Sequence, residues 1–96
     1  MPGPLAFEWN LRKAALNLAK HKVSFEEAVT AFGDPLGQII DDPRHSADEE
    51  RFVLLGRSDR RRLLVVMFTE HGEAIRLISA RRATPRERRR HEDGES

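Results

Sequence analysis

Leu63-Leu-Val-Val-Met-Phe-Thr-Glu-His-Gly-Glu-Ala-Ile-Arg-Leu-Ile-Ser79 is the stretch that decides the fold of this chain. It opens on six apolar residues, Leu63–Phe68, the pattern of a strand covered on both faces. Glu70-His71-Gly72-Glu73 supplies turn chemistry, with Gly72 free to take a positive φ. Ala74–Ser79 alternates, with Ile75 and Leu77 on one face and Arg76 and Ile78 on the other. The reading is an antiparallel hairpin whose first strand, Leu63–Thr69, is the centre of a sheet.

Upstream, Arg51–Arg57 alternates as well, with Phe52 and Leu54 opposed to Val53, Leu55 and Arg57, and Ser58–Arg61 turns the chain into the central strand. Leu36–Ile40 reads as another short strand and Asp41–Glu50 as an acidic, proline-broken loop. Near the start, Ala6-Phe7-Glu8-Trp9 reads as an edge strand and Asn10 as a helix N-cap. Leu11–His21 follows as a helix whose buried face would be Leu11, Ala14, Ala15 and Leu18, with Arg12, Lys13, Asn17 and Lys20 elsewhere. Ser24 and Glu27 have the spacing of a capping box, Val23 is placed to staple onto Ala28, and a second helix over Phe25–Phe32 ends at Gly33 and Asp34-Pro35. Downstream, Thr84-Pro85-Arg86-Glu87 combines a capping box with proline at the first helical position, which predicts a terminal helix to about His91. The expected architecture is α+β, with two N-terminal helices and a C-terminal helix packed on one side of a small antiparallel sheet. Residues 1–96 form one domain, with 1–5 and 92–96 as disordered tails.

Composition removes several function classes. The 96 residues contain no cysteine, which excludes disulfides, thiolate metal sites and thiol nucleophiles. The longest apolar run, Leu63–Phe68, is far below the roughly 20 residues that span a bilayer, and the N-terminus lacks a basic region followed by an apolar stretch. The expectation is a cytoplasmic protein. His21, His45, His71 and His91 are scattered without metal-pair spacing, and the acidic loop lacks the glycine and ligand spacing of a calcium loop, so no metal and no cofactor are expected.

Charge is sorted by position. Residues 24–50 carry eight acids against one base, whereas 57–90 carry eleven arginines against four acids. Guanidinium binds phosphate bidentately and does not lose its proton, so an arginine-dense half suits an anionic partner. Arg76, in mid-strand, either pairs with a carboxylate such as Glu8 or Glu87 or lines a groove that expects an anion. Arg57 and Arg81 stand at strand ends. Arg86, Arg88, Arg89 and Arg90 form either a solvated basic helix face or a phosphate-attracting one. Lys20 and His21 close the first helix, where the dipole favours cations, and His21 also has the chemistry of a proton carrier. Trp9 is either core packing or a stacking platform.

Taken together, Phe7-Glu8-Trp9-Asn10, Lys13, Asn17, Lys20-His21 and Val23-Ser24-Phe25-Glu26-Glu27-Ala28 resemble the opening of the BrnT family of toxins. Asp34-Pro35, Arg51-Phe52, Gly56-Arg57-Ser58, the run Arg76–Ala83 and Glu87-Arg88 continue the resemblance. Asn10 stands where the family usually has Asp, and His91 where Tyr is common. The resemblance implies a RelE-like fold and a metal-independent endoribonuclease that inhibits translation. It also implies a BrnA-like ribbon–helix–helix antitoxin, with operator DNA met only through the toxin–antitoxin complex. It raises Lys20, His21, Arg76 and Arg81 as catalytic candidates; Arg57, as a further electrostatic clamp, and Glu87, as a further proton-transfer group, join them, with Trp9, Lys13, Arg82 and Arg88 as RNA contacts. The alternative from composition alone is a non-catalytic module that holds nucleic acid or an acidic partner through its basic half.

Overall fold

A computed structural model describes residues 6–42 and 50–93. The elements, in chain order, are β1 (Ala6–Glu8), α1 (Leu11–His21), α2 (Phe25–Ala31), β2 (Gln38–Asp41), β3 (Phe52–Arg57), β4 (Leu63–His71), β5 (Ala74–Arg82) and α3 (Pro85–Glu92). The strands form one sheet in the order β1-β5-β4-β3-β2, with β4 at its centre. The pairs β2–β3, β3–β4 and β4–β5 are antiparallel, but β1 runs parallel to β5, so the sheet is mixed and not purely antiparallel. The helical segment between β1 and the rest of the sheet lets β1 return along the far edge in the same direction as β5. Residues 1–5, 43–49 and 94–96, which hold most of the expected acidic loop and tails, lie outside the described residues.

Local chemistry starts each helix. Asn10 accepts a hydrogen bond from Lys13 N at 3.0 Å, and Ser24 accepts one from Glu27 N at 3.0 Å. Thr84 and Glu87 form a reciprocal capping box. The Ser24 box is only half formed, because the Glu27 carboxylate turns inward to Ser58 and Arg62.

The core lies between the sheet and α1 and α2. Val23, Phe25, Ala28 and Ala31 meet Leu54, Leu64, Val66, Phe68, Leu77 and Ala80. Phe7 and Phe68 each set an edge against Phe32. Helix α2 rides close over β3: a Cβ at Gly56 would stand 2.8 Å from the carbonyl oxygen of Ala31. Of the expected buried face of α1, only Ala14 packs against the core. Leu11 and Leu18 are 81% and 49% exposed, and Asn17 is the buried residue of the helix. The reason is the short β1, which pairs with β5 only at 74–76 and leaves the backbone of Ala80 without a strand partner on that edge. The Asn17 amide fills the gap, donating to Ala80 O at 2.8 Å and to Val23 O at 2.9 Å, and accepting from Ala80 N at 3.0 Å.

The helices are not all on one side. Core-facing positions along β3 and β4 are Leu54, Gly56, Leu64 and Val66, so Val53, Leu55, Arg57 and Val65 face the opposite way. That second face meets α3, whose Glu87 and Glu92 bond to Arg81 and Arg57. The double covering read from Leu63–Phe68 is thus real, and α3 supplies part of the second layer.

Candidate active site

A register shift between Met67 and Phe68 sets which arginines share a face. Leu77 pairs with Phe68 and Ser79 with Met67, so Ile78 is the extra residue. Without the bulge, the odd spacing of Arg76 and Arg81 would put them on opposite faces. With it, Arg76 pairs across from Thr69 and Arg81 from Val65, both on the face turned away from α1 and α2. Arg57 joins them there from β3.

Two grooves indent this part of the molecule. The first, of about 400 Å³, has Ile40, Val53, Leu55 and Val65 as its floor and Glu87, Arg90 and His91 as its wall. Arg81 donates from Nη1 and Nη2 to the two oxygens of Glu87 at 2.9 and 3.0 Å, a fork-to-fork pair. That pairing, followed by hydrogen bonds from the Thr84 cap, holds the Glu87 carboxyl down at about 2. Glu87 is therefore ionised at neutral pH and suited to fixing Arg81 and the start of α3. Arg57 is bound more loosely, with Nη2 3.5 Å from Glu92, while its backbone N–H donates to Asp34 at 2.7 Å. Glu92 thus belongs to α3 and to this contact, not to a tail.

The second groove, of about 370 Å³, is lined by Glu8, Trp9, Asn10 and Lys13 from the start of the chain and by Arg51, Thr69, Arg76, Leu77 and Ile78 from the sheet. Here Glu8 and Arg76 are register partners across the parallel pair. Glu8 Oε2 accepts from Arg76 Nε at 2.9 Å and lies 2.8 Å from His71 Nδ1. The hydrogen bond to His71, opposed by desolvation and aided by the Arg76 hydrogen bond, keeps the Glu8 carboxyl below its ordinary range. Trp9 meets Phe25 edge-to-face, with ring centroids 5.9 Å apart, and so packs on the core while it also lines the groove.

The expected site residues therefore fall into separate groups. Arg57, Arg81 and Glu87 meet at α3; Trp9, Lys13 and Arg76 meet at the second groove. Lys20 and His21 end α1 and line neither groove. Arg82 pairs across from Leu64, and Arg88 is an exposed residue of α3. All three arginines of the shared face carry carboxylate partners. Their side chains nonetheless remain 39% (Arg57), 52% (Arg76) and 39% (Arg81) exposed, within reach of an approaching anion. Glu8 was legible only as a partner for Arg76, and His71 only as part of a turn; they are 63 residues apart, and only the parallel register of β1 on β5 joins them.

Among the described residues, no group of three or more His, Cys, Asp or Glu side chains is placed to hold a metal ion. No helix among them is long and apolar enough to cross a membrane.

Comparison with known proteins bears on the whole arrangement. A search of curated protein sequences finds no match. Among solved structures, the chain is similar to the Brucella abortus ribonuclease toxin BrnT, at 23% identity and a TM-score of 0.65, covering 84% of this chain and 99% of that one. At that identity the likeness establishes a shared fold. Residues 9–87 match the family model described as the ribonuclease toxin BrnT of type II toxin–antitoxin systems. With most of its length matched, from the tryptophan at the second groove to the glutamate that fixes Arg81, this chain belongs to the BrnT family of ribonuclease toxins.

Proposed function

We propose that the chain acts as the toxin of a type II toxin–antitoxin pair and cuts RNA without a metal ion, arresting translation and growth. The observation that carries this reading is the bulge in β5, which brings Arg76 and Arg81 onto the sheet face that Arg57 of β3 also occupies, all three part-exposed. A ribose 2′-hydroxyl attacking the adjacent phosphorus builds negative charge on the phosphoryl oxygens. Fixed guanidinium groups stabilise that charge more in the transition state than in the ground state. In this reading Trp9, Lys13, Arg82 and Arg88 contact RNA, Glu87 holds Arg81 in place, and Lys20 and His21 are candidates for proton transfer.

The expected partner is a BrnA-like antitoxin with a ribbon–helix–helix portion, through which the complex would reach operator DNA. The surface supports a protein partner. Leu36, Ile39 and Ile40 are 75%, 57% and 61% exposed, and Ile40 continues into the apolar floor of the first groove.

The test uses purified protein and RNA in the presence of chelator. Cleavage predicts new termini, with a cyclic phosphate on the upstream fragment, and loss of growth arrest in Arg76→Ala expressed at the parent level. An RNA mobility shift that weakens steeply with salt and yields no new termini would instead establish the binding-module reading.

A further inference from the structure

The geometry assigns Glu8 and His71 as the base and acid of RNA cleavage in the groove between β1, the start of α1 and the β4–β5 hairpin, with Arg76 as the phosphate ligand. This assignment rests on the ribonuclease reading and moves proton transfer away from Lys20 and His21, which end α1 outside both grooves.

Three observations converge. First, Glu8 uses only Oε2 for its contacts with Arg76 and His71, and Oε1 has no hydrogen bond among the described residues. A carboxylate oxygen in a groove of about 370 Å³ is thus available to take a proton. Second, Arg76 is anchored through Nε alone, so its Nη1 and Nη2 donors remain for a phosphate. Arg81, by contrast, has both terminal nitrogens on Glu87. Third, His71 does not itself line the groove but touches the lining residue Glu8 through Nδ1, while its Nε2 has no partner among the described residues and its side chain is 62% exposed. Other charged groups in the same surroundings are Lys13 from α1 and Arg51 before β3, which line the groove. On the hairpin itself, Glu70 and Glu73 flank His71 in sequence. Trp9 lies in the same groove, where a base can rest against it.

Oε1 of Glu8 takes the proton of the 2′-hydroxyl as the O2′–P bond forms. The P–O5′ bond breaks, and protonated His71 gives its Nε2 proton to the departing 5′-oxygen. The products are a 2′,3′-cyclic phosphate and a free 5′-hydroxyl. Glu8 is then protonated and His71 neutral. Both groups are reset by solvent: Glu8 releases the Oε1 proton to water and His71 takes one up at Nε2, while its Nδ1–H stays on Glu8 Oε2 at 2.8 Å and keeps the ring oriented.

The test is cleavage of a dinucleotide and of an otherwise identical one whose 5′-bridging oxygen is sulfur, which departs as a thiolate without needing a proton. Glu8→Gln and His71→Asn are both expected to lower kcat on the oxygen substrate by about 10²–10⁴-fold with KM nearly unchanged. On the sulfur substrate His71→Asn recovers to near the parent rate, whereas Glu8→Gln does not. The parent shows a bell-shaped pH profile that loses its alkaline limb in His71→Asn. Both positions are at the surface, and thermal melts check that the variants are folded. If His71→Asn keeps the parent rate and profile while the parent cleaves RNA, the assignment is overturned and the nuclease reading stands. If the parent cleaves no RNA, both fall.

Discussion

Removing Arg62 breaks a buried ion pair, the one that holds Glu27. The Glu27 side chain is only 3% exposed, yet it carries a charge on the core face of the fold. Arg62 bonds it through Nε at 2.9 Å and through Nη2, Ser58 Oγ donates at 2.7 Å, and Arg60 approaches to 3.8 Å. The hydrogen bonds from Arg62, larger than the opposing desolvation, hold the Glu27 carboxyl below its ordinary range. Arg62→Ala leaves a buried carboxylate with Ser58 and a distant, exposed Arg60. Breaking a buried pair in this way costs about 3–5 kcal/mol. The lower end applies because the Arg62 side chain is itself 21% exposed. For a domain of this size, about 3 kcal/mol corresponds to a fall of roughly 15 °C in the melting midpoint. The assay is thermal and urea unfolding at neutral pH, with the double variant Glu27→Leu/Arg62→Met as the companion. Replacing both charges with apolar groups is expected to cost less than removing the arginine alone. The sign with pH also follows: a lowered folded pKa gives stability that is present above the unfolded value near 4.3 and lost as pH falls through the folded value. A loss under about 1 kcal/mol for Arg62→Ala, or a double variant worse than the single, would refute this reasoning.

Asn17→Ala removes the amide that serves Ala80 and Val23, leaving buried backbone groups unpaired; a loss of about 2–4 kcal/mol by urea unfolding is expected. Asn17→Asp does not rescue it, because a carboxylate cannot donate to the two carbonyls. Gly56→Ala sets a methyl 2.8 Å from Ala31 O, a backbone atom that cannot swing away, and is expected to cost about 1–3 kcal/mol in thermal melts. Glu87→Gln gives up the Arg81 fork and weakens the α3 cap. With both partners about one-third exposed, the loss is about 1 kcal/mol at neutral pH. It fades in an acid titration as pH falls from the unfolded carboxyl value toward the folded value of about 2, where the parent also loses the charge.

Much of the fold is written locally. The unbroken apolar run of β4, the Gly72 turn and the alternation of β3 predict the sheet's antiparallel heart without reference to any distant residue. The caps at Asn10, Ser24 and Thr84 predict where helices begin, because a cap is a contact between near neighbours in the chain. The direction of β1, the side chosen by α3 and the inward turn of Glu27 were not legible, since each depends on contacts between residues far apart in sequence. The buried face of α1 departs from its apolar stripe for the same reason: Ala14 packs on the core, but Leu11 and Leu18 give way to the Asn17 amide that a short β1 makes necessary.

The site divides along the same line. Residue chemistry by itself determined an arginine-dense half suited to phosphate, and the motif resemblance pointed to the BrnT family. Only the tertiary structure decided which arginines share a face, because one extra residue in β5 inverts the side-chain alternation beyond it. It also decided that Glu8, Arg76 and His71 meet. Their contact follows from laying β1 parallel against β5, a long-range pairing that no local pattern encodes.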